Sequence, residues 1–116
     1  MILKNNIVIL QGQDSTVTVK RNRYGIPEIS AMTMRDASFA MGWVQCNDRQ
    51  LQMFLTRTIL EGRASEKIAH DNALIEADKY MRSLNLYPDM EEQRERLEAP
   101  VREMLEAYTS GVNRYL

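Results

Sequence analysis

Residues 41–66, MGWVQCNDRQLQMFLTRTILEGRASE, constrain the fold of this chain more than any other stretch. Apolar and polar residues interleave there at helical spacing. Trp43, Val44, Leu51, Phe54, Leu55, Ile59 and Leu60 are too apolar for an exposed helix, yet Asp48, Arg49, Gln52, Arg57 and Arg63 sit among them. An unpaired charge beside a core is costly, so these polar groups need partners. Asp48 and Gln52 are four residues apart, as are Arg49 and Met53, and Met53 and Arg57, so each pair shares a helix face. Gly62 supplies a stop after Leu60 and Glu61. The stretch reads as a core helix whose polar residues clamp its neighbours.

Upstream the pattern is extended. Ile7 to Leu10 is β-branched and apolar, and Gln11 to Ser15 has turn chemistry. Thr16 to Lys20 alternates, putting Val17 and Val19 on one face of a half-buried strand. Arg21 to Gly25 is a second turn, and Pro27 makes Ile26 to Ile29 an edge or a strand start. A small antiparallel β-unit over residues 1–31 is therefore expected. So few strands need something else to pair with.

Residues 32–116 read as about four helices. Thr33-x-x-Asp36 resembles a capping box, after which Met34, Ala37, Met41 and Val44 lie on one stripe. Asn47 or Asp48 either caps a second helix or lies within a continuous one. Asp71 suits the cap of a helix carrying Leu74, Ala77, Met81 and Leu84. Pro88 and Pro100 punctuate the rest, with Pro100 placed for a first turn. Val101, Met104, Leu105, Tyr108 and Val112 form the clearest amphipathic stripe. The run Met90 to Arg96 is a solvated charged face. The class is α+β, predominantly helical, in one domain spanning residues 1–116.

Composition excludes several functions. With a net charge of −1 and acids and bases interspersed, nothing selects nucleic acid or an anionic membrane as a partner. The small cluster Lys20, Arg21, Arg23 beside Tyr24 does not change that. No apolar run approaches the ~18 residues of a membrane span. The start, MILKNNIVIL, lacks the pattern of a secretory signal, which fits a cytoplasmic chain or one already stripped of its signal. Cys46 alone makes no internal disulfide and reads as a small buried hydrophobe. His70, the one histidine, reads as a loop residue without companion metal ligands. No glycine-rich phosphate loop, metal-ligand cluster or nucleophile-elbow serine is present.

Asp48-Arg49, Gln52-Met53, Arg57, Gly62-Arg63 and Glu66 resemble the DRxxQM…R…GR…E signature of the penicillin acylase (penicillin amidase) family. Further blocks follow in family order. Tyr24-Gly25-Ile26-Pro27-Glu28-Ile29 is similar to YGVPHI, followed by Ala31, Asp36, Phe39-Ala40 and Gly42. Asp78 and Arg82 before Leu84-Asn85-Leu86 resemble D…R.LGL, and Ala107-Tyr108 with Gly111-Val112-Asn113 resemble AY..GVN. Glu28 departs from a common histidine, and Cys46-Asn47 from a small residue with Gln or Glu.

The resemblance implies the amino-terminal part of the α chain of an N-terminal-nucleophile hydrolase acting on linear amides. Its partners would be a β chain that begins with the nucleophilic serine, and an acyl-amide substrate. It implies no catalytic residue in this chain, where Ser15, Ser30, Ser38, Ser65, Ser83 and Ser110 are all internal, and no cofactor for catalysis. Many members hold a structural calcium, whose ligands are not placed here, and members are commonly periplasmic or secreted. The matched residues Asp48, Arg49, Gln52, Arg57, Arg63, Glu66, Asp78 and Arg82 are expected to form a buried or interface network needed for folding or assembly. The competing reading is a non-catalytic helical module that binds a protein partner through faces such as Val101 to Val112. Alone, the chain is expected to be marginally stable or to self-associate.

Overall fold

The structure, a computed structural model, describes residues 2–4, 6–86 and 89–116. Four antiparallel strands, β1 (Ile2–Lys4), β2 (Ile7–Gln11), β3 (Thr16–Arg21) and β4 (Pro27–Ser30), form a meander in the order β1-β2-β3-β4. Five helices follow: α1 (Met34–Leu60), α2 (Ala64–Lys67), α3 (Asn72–Ser83), α4 (Met90–Arg96) and α5 (Ala99–Tyr115). The α+β, mainly helical class holds. β1 was not expected from sequence. It pairs Lys4 with Ile7, and Asn6 takes φ 62°, a conformation asparagine tolerates.

Packing groups residues differently from their order along the chain. One compact unit contains the strands, the chain up to Asp48, and Glu98–Leu116; the other is Arg49–Leu97. α1 contributes to both, and Arg49, with φ −136° and ψ 24°, interrupts its helical geometry.

The first unit holds the apolar core. Register sets Val8 opposite Val19 and Leu10 opposite Val17, with Val19 also opposite Ile29, so these side chains share one sheet face. Val17 and Val19 are fully buried, as the alternation predicted. Against them pack Phe39, Ala40, Trp43 and Val44 of α1 and Ala107 of α5, with Tyr115 edge-on to Trp43 at 5.6 Å between centroids.

The buried residues along the first turns of α1 are Asp36, Phe39, Ala40, Gly42, Trp43, Val44 and Cys46; of the expected stripe Met34, Ala37, Met41 and Val44, Val44 is buried and Ala37 half-buried, but both methionines are exposed. In α5 the buried residues are Ala107 and Gly111, whereas Val101, Met104 and Leu105 of the expected stripe remain exposed. Close helix contact explains both shifts. A Cβ added to Gly42 would lie 2.0 Å from the Tyr108 carbonyl oxygen, and one on Gly111 1.9 Å from that of Phe39. The two backbones meet where side chains are smallest, and larger apolar residues are left outside.

The second unit is smaller and more polar inside. Its buried residues are Thr58, Gly62, Ala64 and Asp78. Asp71 caps α3 by accepting from the Ala73 amide at 2.8 Å, as expected. Leu74 and Met81 of that helix are half-buried, while Ala77 and Leu84 are exposed. α4 is exposed throughout, in keeping with a solvated charged run. Pro100 stands in the first turn of α5; Pro88 lies outside the described residues.

Candidate functional site

The motif residues gather in three local constructions. The first joins the β3–β4 hairpin to α1. Arg21, at the end of β3, uses its guanidinium fork: Nη1 donates to the Gly25 carbonyl at 2.9 Å and to Asp48 Oδ2 at 3.1 Å, and Nη2 to Asp48 Oδ1 at 2.6 Å. Asp48 of the signature is thus held by a residue outside the signature. Gly25 takes φ 78°, which glycine adopts freely, and Pro27 starts the edge strand β4. Arg23 lies over the Tyr24 ring, 4.6 Å from its centroid.

The second construction closes the α1–α2 corner. α1 ends at Leu60 and Gly62 takes φ 63°, as its stop role requires. Asp78 reaches this corner from α3. Its Oδ1 accepts from the Ala64 amide at 2.8 Å, and its Oδ2 from the Ser65 amide at 2.8 Å and the Ser65 hydroxyl at 2.6 Å. Burial alone would push the Asp78 carboxyl up, but the Ser65 and Ala64 donors and nearby Arg82 outweigh it and hold the pKa below the usual range. Arg82 Nε donates to the Gly62 carbonyl at 2.8 Å, satisfying a group that the helix end leaves open.

Around that corner runs a chain of ion pairs. Arg57 Nε meets Glu61 at 2.7 Å, Lys67 meets Glu61 at 3.5 Å, and Arg63 grips Glu66 through Nε at 2.9 Å and Nη2 at 2.6 Å. The Arg57 hydrogen bond leads in lowering the Glu61 pKa, and the Arg63 hydrogen bond leads in lowering that of Glu66. Arg49 Nη1 donates to Gln52 at 3.1 Å on an exposed surface. Met53 is half-buried.

A buried or interface network is expected, and within this chain the residues do not form one buried network. Among the eight residues assigned to it, Asp78 alone is buried; Arg49, Gln52, Arg57, Arg63 and Glu66 make local pairs, while Asp48 and Arg82 reach Arg21 and the Gly62 carbonyl. The apolar residues of the same stretch divide likewise. Trp43 and Val44 are buried, but Leu51 is 69% exposed, and Phe54, Ile59 and Leu60 are exposed too. Gly111 makes the α1–α5 contact, and Asn113 is exposed.

The third construction was only half legible. The Asp36 amide donates to the Thr33 hydroxyl at 3.1 Å, as a capping threonine should arrange. The Asp36 carboxylate instead turns to the β2–β3 loop. It accepts from the amides of Gln13 at 2.7 Å, Asp14 at 3.0 Å and Ser15 at 2.9 Å, and from the Ser15 hydroxyl at 2.7 Å. Desolvation pushes this buried carboxyl up, yet those donors together leave its pKa lowered. The turn chemistry at Gln11–Ser15 marked the loop, but nothing local paired it with Asp36. Gly12 fits because a Cβ there would lie 2.3 Å from Asp36 Oδ1.

Among the described residues, no three His, Cys, Asp or Glu side chains are grouped to hold a metal ion, and no helix is long and apolar enough to cross a membrane. Cys46 is buried and His70 is exposed in a loop. These constructions fix turns and helix ends, with the Ser15 and Ser65 hydroxyls donating to Asp36 and Asp78.

The penicillin amidase family profile matches residues 16–116, which take in the first two constructions and Asp36 of the third but not its Gln13–Ser15 loop. The chain belongs to the penicillin amidase family. An acyl-homoserine lactone acylase from Pseudomonas fluorescens is 36% identical over 107 residues, which are 92% of this chain and 13% of that protein. A penicillin acylase 2 proenzyme from a Pseudomonas species is 39% identical over 107 residues, again 92% of this chain and 14% of its length. Among solved structures, a thermostable penicillin G acylase from Alcaligenes faecalis superposes with a TM-score of 0.76 at 25% identity, covering 85% of this chain and 52% of that one. The chain thus spans about an eighth of the curated acylases it matches, at 13% of the first. The part it represents is the amino-terminal region of the family fold, a strand meander followed by helices.

Proposed function

We propose that this chain forms the front of the α chain of an amide hydrolase that splits linear amides into an acid and an amine. The observation that carries the reading is the family match over residues 16–116, in which the matched polar residues brace turns and helix ends. The serines fit the same division of labour, since the hydroxyls of Ser15 and Ser65 donate to the bracing aspartates Asp36 and Asp78. In the proposed reaction the nucleophile belongs to a second chain that begins with serine. Its hydroxyl oxygen bonds to the amide carbon while its α-amino group, with a pKa near ~8, takes the proton. The C–N bond breaks, the amine leaves with that proton, and water releases the acid. Acyl-homoserine lactones and acylated β-lactams are the substrate classes proposed, by analogy with the relatives' names. A periplasmic or secreted location belongs to the same reading. Structural calcium, where the complete protein holds it, is assigned to residues outside this chain.

Intact mass and amino-terminal sequencing of the protein purified from its source test this reading, with hydrolysis of both substrate classes followed by mass spectrometry. A larger co-purifying chain that begins with Ser, Thr or Cys, together with release of free acid, is the expected result. This chain found alone, with no amide hydrolysis, would instead favour the partner-binding module.

A further inference from the structure

The sheet unit is discontinuous in sequence, and α5 is the part that completes it. The chain leaves this unit after Asp48, builds Arg49–Leu97, and returns at Glu98. On its return α5 runs antiparallel to α1, since Gly111 lies against the Phe39 carbonyl and Gly42 against that of Tyr108. Two side-chain bonds flank this contact. The Tyr108 hydroxyl donates to Gln45 Oε1 at 2.6 Å, and Gln13 Nε2, from the β2–β3 loop, donates to Ser110 Oγ at 2.8 Å. Ala107 enters the core, and Tyr115 stands edge-on to Trp43. α5 therefore holds the loop, the helix and the core of the unit at once. Without it, Phe39 and Trp43 lose cover, and residues 1–48 are left as four short strands on one stretch of helix, a unit of marginal size.

We infer that α5 is a strap that closes the sheet unit, so that the first part of this chain to be made is the last to finish folding. Domains ordinarily fold as units, amino-terminal first, during synthesis. Here the core takes residues from both sides of Arg49–Leu97, and the long loop between them must close before those contacts form. Residues 49–97 meet no such delay. Their bonds run within the segment: Asp78 with Ala64 and Ser65, Arg82 with Gly62, Arg57 with Glu61, Arg63 with Glu66. That segment forms while the sheet unit is still open. Closure then comes when α5 seats on α1, because Gly42 and Gly111 let the two backbones meet.

Chains arrested on the ribosome test this order, with a flexible linker that places either Leu97 or Leu116 just outside it. The protein released from its complete gene serves as reference. Amide exchange, read by mass spectrometry, is followed in β3, whose amides are protected only when the sheet pairs, and at Ala64 and Ser65, whose amides donate to Asp78. With Leu97 the last residue outside, Ala64 and Ser65 should be protected. The Thr16–Arg21 amides should then exchange at least about tenfold faster than in chains that expose Leu116. In the longer chain Gly111→Val should return the strand amides to the fast rate while Ala64 and Ser65 stay protected. Thr109→Val, on the exposed side of the same helix, should leave both slow. Strand amides already slow before α5 emerges, or unmoved by Gly111→Val, overturn the inference. Strand amides still fast once Leu116 is outside overturn it too, by assigning closure to a later segment. Ala64 and Ser65 unprotected until Leu116 emerges would overturn the order of the two units.

Discussion

The two compact units fasten themselves with the same device, yet bury different material beneath it. In each, an aspartate on a helix accepts two or more backbone amides and a serine hydroxyl from a distant turn: Asp36 from Gln13–Ser15, Asp78 from Ala64 and Ser65. In the unit containing the sheet, the clasp sits beside an apolar core built from Leu10, Val17, Val19, Phe39, Trp43 and their neighbours. In Arg49–Leu97 the buried residues are few and small or polar, and the large apolar side chains Leu51, Phe54 and Ile59 stay exposed. Hydrophobic burial dominates stability where it is available. The sheet unit therefore has a core of its own, while the other depends on polar clasps and ion pairs.

The largest effect should come from the tightest contact in the sheet unit. Gly42→Ala or Gly111→Ala drives a methyl into carbonyl backbone on the facing helix, so α1 and α5 must separate. A loss of about 3 kcal/mol is expected, read by urea unfolding followed through Trp43 fluorescence. An unaltered midpoint would show that this contact yields easily and that the core is less dense than its packing implies.

Removing each clasp in turn sharpens the comparison. Asp36→Ala leaves several loop amides without acceptors and should cost about 2 kcal/mol, lowering the same Trp43-monitored transition. Asp78→Ala should act elsewhere, speeding amide exchange at Ala64 and Ser65 while the Trp43 signal stays in place. Loss of the Trp43 signal in Asp78→Ala would deny that the units differ in what holds them.

Acid should release both clasps. Each aspartate has a folded-state pKa below its unfolded value, so the stabilisation is complete above the ordinary carboxylate range and is lost as pH falls through the depressed folded-state value. Titration from about pH 7 to about pH 2 should leave melting flat at first and then lower it; in Asp36→Ala the acid slope should shrink. A slope of equal size in that variant would assign the acid sensitivity to other groups.

The smallest effect belongs to the surface. Arg49→Ala removes an exposed bond to Gln52 and should change the stability of this chain by no more than about 0.5 kcal/mol, measured by thermal melting. The same substitution in the assembled acylase tests the expectation that this signature arginine serves folding or assembly. A large loss in this chain alone would place Arg49 in a clasp that its exposure does not suggest.

Much was legible because it is local. Alternation put Val17 and Val19 inward, Thr33 and Asp71 opened helices, Gly62 closed one, and Pro100 sat in a first turn, each through contacts a few residues long. The ordered blocks of polar residues likewise named the family before any coordinate did. What tertiary structure alone decided is which faces are buried and which carboxylates are clasped. Helical periodicity favoured Met34 and Met41 with Val44, and Val101, Met104 and Leu105 with Tyr108 and Val112; Val44 is buried, but where the two backbones meet it is Gly42, Ala107 and Gly111 that are buried while the methionines, Val101 and Leu105 stay exposed. Asp36 and Asp78 find their donors 13 to 23 residues away, across loops whose approach no local rule encodes. A helix period records which side chains share a face; only the neighbour that arrives determines whether that face is filled by bulk or by closeness.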